Sequence, residues 1–213
     1  IEYEYIEVQE NNVNVRHNEA YYEFFTRDLD LWLRLSRSYL IIKGHVAKDD
    51  NSYYADGDEI ALVNNGFSLF QSIDYEINNQ LIERVDNVPI ATTVKALIEF
   101  SDDYSRSVAT NMFWYRDTGQ GMANSAKYNT QQGGITEENV AYNKSCSQRR
   151  KCCVGGKAVC TLLPLKMAIG FFNDVDKVFR GLKHTLKLKR NDVNNVIHKA
   201  AQVALGKFVI TDM

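Results

Sequence analysis

Short stretches in which apolar and polar residues alternate are the feature of this sequence that most restricts its fold. In residues 182–189, leucine and histidine alternate with lysine and threonine, so one side of the stretch is apolar and the other is basic. The same two-residue period runs through residues 29–36, which have leucine at every odd position, and through residues 40–46. This is the period of a β-strand with one buried face, so we expect a strand at each place.

A β-hairpin is predicted where the alternation is interrupted by two asparagines. Ile73, Tyr75 and Ile77 alternate with polar residues, Asn78-Asn79 follows, and the chain returns through residues 80–82. Asparagine tolerates the positive φ angles that a tight turn needs, which supports a hairpin here. Further strands are expected at residues 113–115, 158–165 and 207–211.

Helical spacing is confined to two short segments. Within residues 88–104, Val94, Leu97 and Ile98 recur at helical spacing, with Thr92-Thr93 as candidate caps and residues 101–103 as the stop. A second short helix is expected within residues 167–179. Many short, turn-punctuated strands with one or two short helices predict an all-β fold, an antiparallel β-sandwich.

Length and composition favour one domain with an extension at its start. The chain has 213 residues, which is typical of one domain. Residues 1–20 are acidic, rich in asparagine and weakly patterned, so we interpret them as an N-terminal arm that precedes a single domain over residues 21–213. Residues 119–143 are rich in Gly, Asn, Gln and Thr and are the best loop candidate. A loop of this length points to a function or to disorder.

No targeting or membrane-spanning segment is recognised. The sequence opens on Ile1 within an acidic stretch in which no signal peptide is visible, so the chain is either processed or cut from something longer. The run that comes nearest to a membrane span, residues 161–172, is broken by Pro164 and Lys166. It falls short of the ~18 apolar residues that cross a bilayer, so no membrane span is expected.

The charges are unevenly spread along the chain. Residues 1–100 contain 18 acidic and 8 basic residues, whereas residues 101–213 contain 9 acidic and 17 basic ones. Such asymmetry is typical of a nucleic-acid surface, or of a subunit whose two faces meet opposite charge on its neighbours. Aromatic residues are not interleaved with the bases, as a base-stacking surface requires, and this disfavours nucleic acid.

The four cysteines lie close together in the sequence but do not form a known metal-binding pattern. Cys146, Cys152, Cys153 and Cys160 have the spacing C-x5-C-C-x6-C, whereas zinc sites usually show paired C-x2–4-C ligands. The lack of a visible signal peptide favours a reducing compartment. We therefore expect free thiols in a strand-rich segment, with a metal site as the minor alternative.

Residues that carry catalysis are not recognised. The histidines do not occur in H-x-E or HExxH spacing, and no GxSxG, phosphate-loop or dinucleotide-binding motif is present. Asp102-Asp103 with Asp117 could form paired carboxylates, but adjacent carboxylates after a helix are more often solvated surface. His184 falls on the apolar side of its strand and is interpreted as a hydrogen-bonded core histidine. No catalytic, cofactor-binding or metal-binding residue is predicted, and the four histidines considered are His17, His45, His184 and His198.

Several segments, taken in order, resemble a family of viral structural proteins. Tyr22-Glu23-Phe24-Phe25, residues 40–46 and above all residues 63–78 (VNNGFSLFQSIDYEIN) are similar to the amino-terminal part of hexon-like major capsid proteins. These are the capsid proteins of Polinton/Maverick elements, adintoviruses and related small DNA viruses. The similarity continues through residues 97–100, 114–118, 163–165, 170–178 and 181–186.

The resemblance implies a fold, a function and a place in the cell. Members of the family fold as two jelly rolls in tandem, so this chain resembles the first jelly roll alone, either a fragment or a domesticated single-roll copy. A capsid domain self-assembles with other copies of itself into trimers and with other capsid proteins, catalyses nothing and needs no cofactor. The implied location is the virion, with assembly in the host nucleus or cytoplasm and at most weak contact with packaged DNA. The cysteine-rich residues 146–160 are not part of the family pattern.

Two alternatives remain open at the level of sequence. A β-sandwich binding module for a glycan or protein ligand would share the same architecture, because function does not follow from fold. An enzyme would need catalytic groups that converge from distant loops.

Overall fold

The computed structural model describes residues 21–26, 29–116 and 144–213. The predicted arm at residues 1–20, the loop at 119–143, His17 and Asp117 lie outside the described residues. In the described part, the chain consists mainly of antiparallel β-strands with a few short helices, which confirms the predicted class at that level. No helix in these ranges is long and apolar enough to cross a bilayer.

The described residues form eleven strands and five α-helices. The strands are β1 Tyr21–Phe25, β2 Leu33–Arg34, β3 Tyr39–Lys48, β4 Ile60–Leu62, β5 Phe70–Ile77, β6 Gln80–Asp86, β7 Val159–Pro164, β8 Val178–Phe179, β9 His184–Arg190, β10 Ile197–Lys199 and β11 Gly206–Asp212. The helices are α1 Val88–Glu99, α2 Asp102–Arg106, α3 Lys144–Lys151, α4 Gly170–Asp174 and α5 Val193–Val196. Short 3-10 helices occupy Leu35–Arg37, Gly66–Leu69, Val108–Met112 and Leu165–Met167.

Two antiparallel sheets carry the hydrophobic core. The first has strand order β1-β9-β5-β6 and the second has order β11-β3-β7, while β4 pairs with β10 and β2 with β8. Apolar side chains of both sheets join one buried cluster, in which Ile42 and Ile210 of the second sheet lie with Ile73 and Leu188 of the first. Burial of this apolar area is the main favourable contribution to folding.

Four of the strand pairs are nested inside one another along the chain. The innermost pair is β5–β6, and β3–β7, β2–β8 and β1–β9 enclose it in turn. Of two further pairings, β5–β9 joins strands of different nested pairs, and β3–β11 joins β3 to a strand outside the four pairs. Strands that are far apart in the sequence therefore pair around one local hairpin, β5–β6.

Alternation correctly predicted the longest strands. In β3, Leu40, Ile42 and Val46 are buried and Ile41 is exposed, as the two-residue period requires. Gly44 shares the buried side, and a side chain is excluded there because a Cβ atom would collide with the carbonyl oxygen of Val209 on β11. The predicted strands at residues 158–165, 182–189 and 207–211 are found as β7, β9 and β11.

The predicted hairpin is also confirmed. Asn78 and Asn79 connect β5 to β6 with φ angles of 49° and 64°. The Asn78 side chain accepts a hydrogen bond from the backbone N–H of Lys183 at 2.9 Å, which ties the turn to the start of β9. The predicted short helix within residues 167–179 is present as α4.

The strand predicted at residues 29–36 is wrong in most of its length. Only Leu33–Arg34 pair with a neighbour, and Leu35–Arg37 form a 3-10 turn. The Arg34 guanidinium and the Ser36 hydroxyl both donate to the Asp176 carboxylate, at 2.7–2.8 Å and 2.6 Å. These tertiary contacts fix a bend that overrides the local alternation.

The aromatic strand predicted at residues 113–115 is absent as well. Phe113 follows a 3-10 helix with a left-handed φ of 59°. Its carbonyl accepts from the backbone N–H of Asn65, and the backbone N–H of Tyr115 donates to the Asn64 side chain at 2.7 Å. The backbone groups of this segment are thus satisfied by a loop rather than by a neighbouring strand.

The boundaries predicted for the helix at residues 88–104 are shifted. Helix α1 begins at Val88 with Pro89 in its first turn, so Thr92 lies inside the helix rather than at its cap. Proline is favoured in a first turn because the N–H it lacks has no helical partner there. The helix ends at Glu99, close to the predicted stop at residues 101–103. Ser101 also caps the next helix, accepting a hydrogen bond from the backbone N–H of Tyr104.

Candidate assembly surfaces

The polar residues considered as catalytic candidates do not come together in the described chain. His45, His184 and His198 lie on β3, β9 and β10 respectively. Asp102 and Asp103 are exposed in the first turn of α2, where Asp102 pairs with the Arg116 guanidinium. This confirms the surface interpretation of the two adjacent carboxylates.

His184 is a core residue, as predicted. Its Nδ1 atom lies 2.7 Å from the Tyr75 hydroxyl oxygen, and the contact is buried. The Tyr75 ring packs edge-on against Phe172 with 4.8 Å between ring centroids. Burial lowers the pKa of His184 below its ordinary value of 6.5, because the surroundings disfavour the charged ring. The neutral imidazole therefore joins the two strands β5 and β9.

The cysteines are divided between a helix and a strand, so the predicted strand-rich setting is wrong for most of them. Cys146 lies on α3, Cys152 and Cys153 follow it directly, and Cys160 is on β7. Cys152, Cys153 and Cys160 are free thiols. Burial raises the pKa of Cys153 to about 12, so this thiol stays protonated and is a poor nucleophile. The described residues contain no group of three or more His, Cys, Asp or Glu side chains placed to hold a metal ion.

Part of the basic stretch serves the interior of the protein. Arg149 of α3 is only 3% exposed, and its Nε donates to the carbonyl oxygen of Leu62 at 3.0 Å. Arg150 donates from Nε to the carbonyl oxygen of Asp58 at 3.2 Å. These bonds hold α3 against β4 and the segment that precedes it. They explain how α3 is positioned although it has almost no apolar face.

The outward face of the first sheet carries a row of alternating charges. Across β1, β9, β5 and β6, the residues Glu23, Lys187, Asp74 and Arg84 lie opposite one another in register. The Arg84 guanidinium binds Asp74 through two bonds of 2.6 and 2.8 Å. Lys187 donates to Glu76 at 2.6 Å, and the Glu76 carboxylate raises the pKa of Lys187. Here the acidic first half of the sequence and its basic second half meet within one sheet.

Four of the larger aliphatic side chains of helix α1 point away from the core. Ile90, Val94, Leu97 and Ile98 are 65%, 49%, 60% and 78% exposed. They recur at the helical spacing that predicted the helix, so they share one outer face. The spacing correctly indicated the helix, but the apolar side expected to face the core faces outward.

The opposite face of α1, which packs against the protein, carries small and polar residues. Thr92 and Ala96 are the buried residues of its central turns. The Thr92 hydroxyl donates to the carbonyl oxygen of Val88 and accepts from the Asn65 side-chain amide, both at 2.7 Å. The bond between Thr92 and Asn65 fixes the helix to the loop before β5, and the small side chain of Ala96 allows the helix to approach closely. A contiguous exposed aliphatic patch of this kind is typical of a protein–protein contact.

Comparison of the sequence with models of protein families and with curated proteins gives no match. Two surfaces are candidates for contact with another protein. They are the charge-paired face of the first sheet and the outer face of α1, which is defined by Ile90, Val94, Leu97 and Ile98.

Proposed function

We propose that residues 21–213 are a jelly-roll domain of a hexon-like capsid protein, the first roll of the Polinton/Maverick and adintovirus type. In this proposal the domain assembles with other copies of itself into trimers, and with other capsid proteins into the shell of a virion. It catalyses nothing and uses no cofactor. Assembly takes place in the nucleus or cytoplasm of the host.

The observation that carries the proposal is the nested strand order. A jelly roll is an eight-stranded double sheet that contains two Greek keys, and it can be drawn as a long hairpin wrapped around a barrel-like core. The pairs β1–β9, β3–β7 and β5–β6 are the rungs of such a hairpin. The pairings β5–β9 and β3–β11 are those that wrapping adds. All five pairings between long strands agree with this pattern.

The segment with the strongest family resemblance occupies a structural position. Residues 63–78 run from the end of β4 through a 3-10 turn into β5. The Asn64 and Asn65 side chains hold the backbone of Tyr115 and Phe67, at 2.7 and 3.1 Å. These residues shape a connection rather than a reactive site, which is what a shared structural protein is expected to retain.

The outer face of α1 supplies a surface for assembly. Capsid subunits associate through many weak contacts, and an apolar patch surrounded by polar residues is typical of such a contact. In the first sheet, Asp74 is paired with Arg84 and Glu76 with Lys187, and Lys183 Nζ donates to the Asn79 side chain. We therefore place the main self-contact on α1 and not on the basic residues Lys183, Lys187 and Lys189.

Sedimentation velocity at several protein and salt concentrations tests the proposal. We expect trimers or larger species for the wild-type chain. Replacing Leu97 and Ile98 by glutamine should leave the fold intact and give monomers. A matched control replaces Leu81 and Ile82 on β6, which are also adjacent and exposed, at 51% and 42%, and should assemble as the wild type does.

The outcomes separate the alternatives. A wild-type chain that stays monomeric under every condition contradicts self-assembly and favours the binding module for a glycan or protein ligand. If the Leu97/Ile98 variant assembles like the wild type, the contact does not lie on α1. If neutralising Lys183, Lys187 and Lys189 abolishes assembly while the α1 variant does not, charged contacts between subunits carry it instead.

A further inference from the structure

The outward face of the second sheet is apolar over part of its area. Across β3 and β7, Tyr39 lies opposite Pro164 and Ile41 lies opposite Leu162. The residue between each two on the same strand is buried, so these four residues point away from the core. Tyr39 and Ile41 are exposed, and Leu162 and Pro164 are half-buried. We call these four residues the apolar face of the second sheet.

The residues next to this face on the same side of the sheet carry charge that is already paired. The next outward residue of β3, Lys43, pairs with Asp212 at 2.7 Å within one copy. Opposite Lys43 on β7 lies Cys160, an exposed thiol rather than a second charge. A partner can therefore cover this part of the sheet without removing water from an unpaired charge on these strands, which would be costly.

Other exposed apolar side chains lie among charged groups. The Arg180 guanidinium lies 5.6 Å from the centroid of the exposed Trp32 ring and pairs with Asp30. Leu81 and Ile82 are on β6, in the sheet whose outward face carries the row of alternating charges. Among the described residues, the outer face of α1 and the apolar face of the second sheet are two extended apolar surfaces without such charges.

These two surfaces match in length. Along α1, the distance from Ile90 to Ile98 is about 12 Å, because a helix rises 1.5 Å per residue. Along β7, the distance from Cys160 to Pro164 is about 14 Å, because an antiparallel strand rises 3.4 Å per residue. A helix packed on a sheet is a common way to bury an apolar stripe, so the outer face of α1 suits the second sheet in shape.

A trimer requires two different surfaces on each copy. A two-fold dimer buries the same patch on both subunits, whereas a ring joins one surface of each copy to a different surface of the next. The outer face of α1 exposes on the order of a few hundred Å² of apolar area. This is less than the about 800 Å² per partner of a standard interface. A ring in which every copy offers α1 and receives α1 on its second sheet buries both surfaces of each copy.

We propose that the outer face of α1 in one copy packs on the apolar face of the second sheet in the next copy. The partner is a second copy of this chain, and the contact repeats in one direction around the trimer. The inference rests on the proposed function and adds to it the surface that receives α1. Because apolar burial carries the contact, assembly should persist at high salt.

The variant Ile41→Gln tests the receiving surface. Ile41 is exposed, so the variant should fold as the wild type does, which circular dichroism checks, and sedimentation should find monomers where the wild type gives trimers. The matched control, Ile82→Gln on β6, makes the same change at an isoleucine of similar exposure, 42% against 49%, and should assemble. An Ile41→Gln chain that assembles like the wild type contradicts the contact.

Cross-linking of cysteines identifies which surfaces meet. Cys160 supplies an exposed thiol beside the apolar face of the second sheet. Val94→Cys supplies a second thiol on α1 and keeps a small apolar side chain there. A short bismaleimide should join these two thiols between copies, giving covalent dimers and trimers on a denaturing gel, and mass spectrometry of tryptic peptides identifies the bridge. The control, Leu81→Cys on β6, should form no bridge to Cys160.

The products separate a failure of this inference from a failure of the proposed function. In an assembled Val94→Cys chain, bridges that join two α1 helices or two Cys160 thiols, with none from α1 to Cys160, would overturn the helix-on-sheet contact and leave self-assembly standing. An assembled chain without any bridge would overturn it as well. A wild-type chain that stays monomeric at every concentration contradicts the proposed function itself, and this inference with it.

Discussion

The Glu83 side chain on β6 ties the first sheet to helix α4, and its removal should destabilise the fold measurably. Its two carboxylate oxygens accept from the backbone N–H groups of Gly170 and Phe171 at 2.8 and 2.7 Å. These are the first N–H groups of α4, which have no partner inside the helix. The carboxylate of a distant strand thus acts as the cap of this helix.

The magnitude follows from the two bonds. A hydrogen bond to a charged group contributes about 1.5–3 kcal/mol, and water replaces part of it at a half-buried site. We expect Glu83→Ala to lower the free energy of unfolding by about 2–3 kcal/mol. Glu83→Gln should lower it by about 1 kcal/mol, because the amide keeps one acceptor and turns a donor toward the second N–H.

Urea unfolding monitored by fluorescence measures the effect. The midpoint should fall while the slope of the unfolding free energy against urea stays the same. The thermal midpoint should fall by about 2–4 °C for each kcal/mol in a chain of this size. Glu99→Gln, an exposed change on α1, is the control and should alter the free energy of unfolding by less than about 0.5 kcal/mol. A Glu83→Ala chain as stable as this control would refute the capping role.

Two further predictions concern titratable groups in the core. The buried His184 has a pKa below 6.5 in the folded chain, so the unfolded chain binds more protons as the pH falls through 6.5. Stability should therefore decrease below that pH, by at most about 1.4 kcal/mol per pH unit, and His184→Gln should remove this part of the slope; equal slopes for the two proteins would contradict it. In alkylation followed by mass spectrometry, the exposed Cys160 should react in the native protein and the buried Cys153 only on unfolding; modification of Cys153 at the rate of Cys160 would show that its burial is not as described.

The strands were predictable where local pattern and burial coincide. In β3, alternate side chains enter the core, so the two-residue period of the sequence follows directly from the pleat of the strand. The hairpin was predictable because Asn78-Asn79 carries its own turn preference. Residues 29–36 have the same period, but the contacts of Arg34 and Ser36 with Asp176 bend them, and those contacts join residues far apart in sequence.

Two helices show features that could not be predicted from local sequence. Helix α3 has no apolar period, and its place depends on Arg149 donating to the backbone of Leu62. For α1, helical spacing predicted the helix but not which of its faces is buried. The buried face includes Thr92 and Ala96, and the Asn65 side chain, in a loop distant in sequence, donates a hydrogen bond to the Thr92 hydroxyl.

The nested strand order also constrains how the polypeptide reaches its native state. Among the strand pairs of the described residues, only β5–β6 is local, whereas Tyr21 at the start of β1 pairs with Lys189, far along the chain. During synthesis, β1 leaves the ribosome long before its partner exists, so the hairpin around Asn78-Asn79 is the one pair of long strands available early. The high contact order of the remaining pairs makes slow folding the expected behaviour. Until the last strands are made, the early ones remain exposed to pairing with other nascent chains.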